Sequence, residues 1–302
     1  MIKRTLYFGN PAYLSYRMKQ MVIRLVADDP GDHNEQVRTV PVEDIGVVVI
    51  DHQQVTLTSG LMAALLEENV ALITCDSKHI PTGLMLTLQG HSSQNERFRN
   101  QLDASLPLKK QLWQQTIECK IRNQAAVLKY VTGEDAKNML AWAAAVKSGD
   151  SENLEGRAAA FYWKNVFETR FVRDQFGEYP NNFLNYGYAI LRAIVARALV
   201  ASGMLPLLGI HHHNKYNDYC LADDIMEPYR PFVDRLVLNV MDEFPDEEEL
   251  TKNIKARLLT IPVLDVTIDG HKSPLMVAVS TTTSSLYKCF SGICRKIVYP
   301  TM

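Results

Sequence analysis

Three histidines in a row and a later cluster of three acids share one short stretch, GIHHHNKYNDYCLADDIMEPYRP (residues 209–231). Asp223, Asp224 and Glu227 lie 11, 12 and 15 residues beyond His212. Imidazoles and carboxylates are the donors that hold a divalent cation. Consecutive side chains cannot all point one way, so at most one or two of His211, His212 and His213 can share a site. Asp224 and Glu227 are three apart, which puts them on one face of a helical turn. There they repel unless a cation, or Arg230 three residues further on, offsets them. Asp223 points elsewhere and can cap that turn. Taken alone, the stretch reads equally well as a polar loop after Gly209 followed by a solvated acidic turn.

A second candidate is Glu155, in LEGRAAAFYW. An acid in the first turn of a helix ordinarily complements the helix dipole and faces water. Here Gly156 and Ala158 to Ala160 leave bare helix surface beside the carboxylate, which suits close approach of another element or a ligand. Combined, the donor set is one imidazole and two or three carboxylates. Cys220 is solitary, so a closed zinc site is disfavoured. Oxygen-rich sets suit Mg2+ or Mn2+, and one imidazole tilts the choice towards Mn2+. Such a cation with open positions serves in-line displacement at phosphorus. HEXXH, GxSxG and GxxxxGK[ST] are absent, which removes the usual support for protease, esterase and P-loop readings. Arg157, Trp163, Lys164, Arg170, Arg173, Arg192, Lys215, Arg230 and Arg235 interleave basic and aromatic groups through the same region. Clustered beside a metal, they form a phosphate-binding surface.

The elements that must position these residues change character along the chain. Segments RTLYFG, QMVIRLVA, VRTVPVE, IGVVVIDH and NVALITCD read as strands. One helix, TSGLMAALLEEN, interrupts them with Thr58 or Ser59 as its cap. Pro41 places its strand at an edge or a bulge. After Gly90 the periodicity turns helical: 108–131, 135–149 with Asp135 as cap, 153–177 as one long helix, and 181–203 apolar on most sides. A further helix with an acidic cap follows Asp246, and LDVTIDGHKS reads as a hairpin around Asp269-Gly270. The expected fold class is α+β. A small β-rich domain over 1–84 is joined by a linker, 85–95, to a larger all-helical domain over 96–302.

The 302 residues carry a net charge of −2, so a nucleic-acid partner must be held by local basic clusters, not by the whole field. Five cysteines without CxxC spacing point to a reducing compartment. No signal pattern and no membrane-length apolar run stand out, so the expected location is the cytoplasm, with no membrane partner.

The pieces, in order, resemble the CRISPR-associated adaptation integrases, the Cas-one proteins. The matching stretches are LYFGNPAYLS, VPVEDIGVVVID, TSGLMAALLEENVALITCD, EGRAAAFYW, NYGYAILRA and GIHHHNKYNDYCLADDIMEPYRPFVDRLV. HHHNKYND and DDIMEPYRP look most like the type II branch. The resemblance implies a dimerising N-terminal β domain and a helical catalytic domain. It puts the family's glutamate on Glu155, its G-x-x-H histidine on His212 and its last acidic ligand on Glu227, where many relatives have Asp. Asp224 is a further candidate ligand. The implied reaction is transesterification: the 3′-hydroxyl of a foreign DNA fragment, the protospacer, attacks a phosphodiester at the edge of a CRISPR repeat, with Mg2+ or Mn2+ as cofactor. Arg157, Lys164, Arg173, Lys215 and Arg230 are the candidate contacts to double-stranded DNA. The implied assembly is two homodimers flanking a dimer of the small Cas-two protein, a heterohexamer. In type II systems the ring-shaped adaptation protein and the effector nuclease join it. Two other functions fit the same residues: a stand-alone metal-dependent endonuclease, and an inactive DNA-binding scaffold.

Overall fold

The computed structural model describes residues 3–25, 37–167 and 171–302. The chain divides into two compact units, Met1–Gly90 and His91–Met302.

The first unit contains β1 (Arg4–Phe8), β2 (Ala12–Arg17), β3 (Gln20–Leu25), β4 (Val37–Pro41), β5 (Ile45–Ile50), β6 (Val55–Leu57), α1 (Ser59–Glu67), β7 (Ala71–Cys75) and β8 (Pro81–Met85). Two four-stranded sheets result, in the orders β1-β5-β7-β8 and β4-β3-β2-β6. In the first, β5 runs parallel to both β1 and β7. All six residues of β5 are buried, which is why IGVVVI reads as an unbroken apolar run. In the second, β4 carries Pro41 at the sheet edge, where its missing N–H costs no ladder bond. Thr58 caps α1 by accepting from the Leu61 amide. Leu61 and Leu65 then join Leu14, Met21, Ile45 and Val48 in the core between the elements. Strands β2, β6 and β8 are short or polar on one side, and apolar runs alone did not reveal them. The end of the expected strand 20–27 lies outside the described residues.

The second unit contains α2 (Gln94–Leu102), α3 (Leu106–Thr132), α4 (Lys137–Ala145), α5 (Leu154–Val166), α6 (Asn181–Ala201), α7 (Cys220–Met226), α8 (Arg230–Glu243), α9 (Lys252–Leu258), β9 (Asp265–Ile268), β10 (His271–Pro274) and α10 (Leu275–Phe290). It is therefore not all-helical: β9 and β10 pair antiparallel, and Asp269 and Gly270 both take positive φ in the turn between them. α6 is apolar enough and long enough to cross a membrane by length and composition alone, contrary to the reading of the sequence. Most of it is buried within this unit, as befits the central helix of a bundle.

Three local expectations need correction. Asp135 does not cap α4, whose N-cap is Ala136; it pairs instead with Lys129, 2.9 Å away. α9 is capped by Thr251, not by an acid. The long helix over 153–177 stops at Val166, where Phe167 turns extended. Beyond it Phe171 packs on Phe167 and Trp163, at ring-centroid distances of 4.4 and 5.3 Å.

α5, α6 and α8 are locked together by a buried carboxylate. Tyr162 donates to Asp234 Oδ2 at 2.8 Å, and Tyr188 donates to Asp234 Oδ1. Burial pushes the Asp234 carboxyl up to about 6, against the two tyrosine hydrogen bonds and the nearby Arg230 and Arg173. Between its ordinary value of 3.8 and about 6, the folded chain holds a proton that the unfolded chain has released. Stability from this group therefore falls as pH rises through that window and is level above it. Asp234→Asn has no such dependence. Across the window, the unfolding free energy of Asp234→Asn should gain on that of the wild type by roughly 3 kcal/mol. Denaturant melts of the two proteins across that range would measure the gain.

Candidate metal centre

The first turn of α5 fixes Glu155. Asn153, the N-cap, sits in the left-handed region at φ 51° and accepts from the Gly156 amide. Asp150 accepts from the amides of Leu154 and Glu155, at 2.9 and 3.0 Å. The absent side chain at Gly156 makes room for this cap, since a Cβ there would lie 2.8 Å from Asn153 Oδ1. Half-buried on this turn, Glu155 faces α3.

Glu227 comes from the turn that joins α7 to α8. It follows Asp224 by three residues and is 5% exposed, so the solvated acidic turn allowed by the sequence is not what forms. Its Oε1 meets Arg230 Nε at 2.9 Å. Its Oε2 lies 2.5 Å from Lys120 Nζ, on α3. The same ammonium donates to Glu155 Oε1 at 2.6 Å. Two glutamates far apart in sequence thus converge on one cation. The contact at Glu227 Oε2 is one of charge without hydrogen-bond direction, and that buried oxygen has no hydrogen-bond partner. Burial opposes the charge on Glu227, but Arg230 and Lys120 outweigh it and hold the carboxyl below its ordinary range. Burial likewise opposes the Lys120 ammonium, and Glu227 and Glu155 outweigh it in turn, raising its pKa.

His212 is positioned by Asp224. Asp224 is fully buried and accepts from the backbone amides of Ile210, His211 and His212, at 2.6, 2.9 and 3.2 Å. His212 Nδ1 lies 2.5 Å from Asp224 Oδ1. With Nδ1 bonded there, Nε2 is the nitrogen left for a ligand. Gly209 permits this wrapping, because a Cβ would fall 2.4 Å from the His212 carbonyl oxygen and 2.7 Å from Asp224 Oδ2. The hydrogen bond to Asp224 raises the His212 pKa, against burial, and the charges of Asp224, Glu227 and Glu155 add to it. His211 stacks flat on Trp113, centroids 4.1 Å apart and planes 1° from parallel, and burial lowers its pKa. His213 is exposed beside a cavity of about 450 Å³ that His212, Lys109, Lys215 and Asn217 also line.

The predicted residues divide accordingly. Glu155 and Glu227 are brought together, and His212 lies near enough to feel both charges. Among the described residues no three His, Cys, Asp or Glu side chains stand in metal-holding geometry, and Lys120 stands between the two carboxylates. Both Asp224 oxygens are engaged by the histidine loop, so in this structure Asp224 orients the His212 ring. Asp223 does not cap the turn; it pairs with Arg192 at 2.6 Å and accepts from Asn217. Of the candidate DNA contacts, Arg157, Lys164 and Lys215 are exposed. Arg173 and Arg230 point inward: Arg173 donates to Asn181 and Asn185, and Arg230 pairs with Glu227 over the Tyr188 ring. Arg170 lies outside the described residues. Reading the sequence missed Lys120, although a lysine one residue before Ile121 and three after Ile117 falls on the apolar stripe of α3.

The family described as "CRISPR associated protein Cas1" matches residues 6–253. A protein of Neisseria meningitidis serogroup C (strain 8013), named CRISPR-associated endonuclease Cas1, is 37% identical over 284 residues, covering 93% of this chain and 90% of the relative. Among solved structures, a casposase bound to its integration product superposes with a TM-score of 0.79 at 21% identity, over 98% of this chain and 92% of the other. A Cas6-RT-Cas1–Cas2 complex gives 0.74 at 17% identity, covering 98% of this chain and 36% of that one. These two likenesses bear on fold, and they agree with a β-rich unit followed by a helical one. With a family match over most of its length and a relative at 37% identity, the chain belongs to the Cas1 family.

Proposed function

We propose that the chain is a metal-dependent DNA integrase of CRISPR adaptation, joining 3′-hydroxyl ends of protospacer DNA to the CRISPR repeat by transesterification in the cytoplasm. The observation that carries this reading is the convergence of Glu155 and Glu227 on one cationic position, with His212 beside them. The relative's name, endonuclease, and the integration product held by the similar casposase point the same way. The similar Cas1–Cas2 complex supports Cas-two as a partner. The proposed assembly is two Cas1 homodimers flanking a Cas-two dimer, a heterohexamer. The ring-shaped adaptation protein and effector nuclease of type II systems are further proposed partners.

Glu155, Glu227 and Nε2 of His212 would hold Mg2+ or Mn2+; oxygen-rich donors with one imidazole suit either ion, and the two carboxylates already converge on one positive charge, the Lys120 ammonium. When bound, the metal supplies Lewis-acid polarisation of the scissile phosphate and charge stabilisation for the attacking and leaving oxygens. The chain's own residues prepare that place. Asp224 fixes the His212 ring and leaves Nε2 as its free nitrogen. Arg230, held over Tyr188, fixes the Glu227 carboxylate from the side away from Lys120. Exposed Arg157, Lys164 and Lys215 are the proposed contacts to DNA phosphates.

An integration assay, with 3′-hydroxyl DNA, a repeat-bearing plasmid and the Cas-two partner, tests the reading. Glu155→Gln, Glu227→Gln and His212→Ala should each lower strand transfer about 100-fold or more, with the circular dichroism of the folded chain retained. Products that are only hydrolysed, never joined, would replace the integrase reading with that of a stand-alone endonuclease.

The pH dependence follows from His212. A protonated imidazole cannot ligate, and its raised pKa moves proton loss above the ordinary 6.5. Strand transfer should therefore fall as pH drops and His212 takes up its proton. Asp224→Asn removes the largest cause of the raised pKa and should shift that fall to lower pH while lowering the maximal rate. Initial rates across pH for the two proteins would check both effects.

A further inference from the structure

Lys120 is the unexpected member of the centre. Lysine is seldom buried, and this side chain is 11% exposed on the inner face of α3. Lys120 and Arg230 stand with two carboxylates, Glu155 and Glu227. Their formal charges cancel, so the centre is already neutral without any added ion. Neither oxygen of Glu227 is free of a cation, since Oε1 meets Arg230 and Oε2 meets Lys120. A divalent cation can reach that carboxylate only if one of the two gives way.

The two are not equally able to leave. Arg230 is half-buried, but its guanidinium is held over the Tyr188 ring at 4.7 Å, and Tyr188 is in turn tied to Asp234. Lys120 is a point charge on a flexible four-carbon stem, with no ring contact found for its ammonium. Its nitrogen, 2.6 Å from Glu155 Oε1 and 2.5 Å from Glu227 Oε2, also sits where an ion bridging those oxygens would sit. Oxygen ligands approach Mg2+ or Mn2+ to about 2.0–2.3 Å, leaving no room for an ammonium between the same pair.

We propose that Lys120 is a built-in counter-ion that keeps Glu155 and Glu227 assembled and competes with divalent metal for their oxygens, so that metal loads only as the ammonium withdraws. This rests on the metal reading of the centre given above. It assigns Lys120 as a positioning residue whose charge sets how tightly the centre takes up its ion. Before loading, the ammonium relieves the repulsion between two buried carboxylates. On loading, it is the group displaced.

The test titrates Mn2+ into the wild-type chain, Lys120→Met and Lys120→Arg, with free Mn2+ read by electron paramagnetic resonance and folding checked by circular dichroism. Removing the competing charge should lower the Kd of Lys120→Met for Mn2+ about tenfold, whereas Lys120→Arg, which keeps the charge, should bind no more tightly than wild type. Without metal, Lys120→Met should melt below the wild type, and saturating Mn2+ should narrow that gap. If Lys120→Met does not fold, Lys120→Gln, which keeps hydrogen-bond donors without the charge, carries the same comparison. Uncharged variants that bind Mn2+ no more tightly than wild type would overturn the competition, as would an arginine variant that tightens equally. Failure of every chain, wild type included, to bind Mn2+ would instead remove the metal reading and this inference with it.

Discussion

Two carboxylates held close together in a protein interior repel, and the helical unit is arranged around that fact. Glu155 and Glu227 come from separate elements, α5 and the turn before α8, and only a shared positive charge makes their approach tolerable. α3 supplies it from a buried position. Each of the three elements must therefore be fixed in place independently of the contact it makes, because none of the groups is stable in such surroundings without the others.

The fixing devices are visible in each element. α5 is started by Asn153 and Asp150, which between them take three amides of its first turn. α8 is tied to α5 and α6 through Asp234 and its two tyrosines, with Arg230 leaning on one of those tyrosines. The histidine loop is wrapped on Asp224 by three backbone amides and one ring nitrogen, an arrangement that only a glycine at 209 allows. Asp224 and Glu227 share a helical face, yet one faces the loop and the other faces α3. One turn of chain thus orients the imidazole and presents the carboxylate.

Much of this was legible in the residues, and the reasons for the rest are physical. Glu155, His212 and Glu227 stood out because imidazoles and acids are scarce donors and their order along the chain is distinctive. The strands β1, β3, β5 and β7 were legible because they are apolar runs broken by turn residues; β2, β6 and β8 were hidden because half their residues face outward. Arg173 and Arg230 looked like free surface charges, since nothing near them in sequence announces Asn181, Asn185 or Tyr188 as partners. Lys120 was passed over because among Lys109, Lys110 and Arg122 it looks like one more solvated charge, although its place on the stripe of Ile117 and Ile121 sets it apart from them. The break after Val166 has no announcing glycine or proline, so periodicity alone carried the expected helix past it.

The flat stack of His211 on Trp113 has a use beyond packing. The indole is buried on α3, while the imidazole belongs to the loop that carries His212. Whenever that loop lifts from Asp224, the indole loses the ring that covers it. Its emission colour and quantum yield then change with solvent access. With Trp142 and Trp163 replaced, Trp113 would serve as an optical label for any displacement of the histidine loop, with no dye attached.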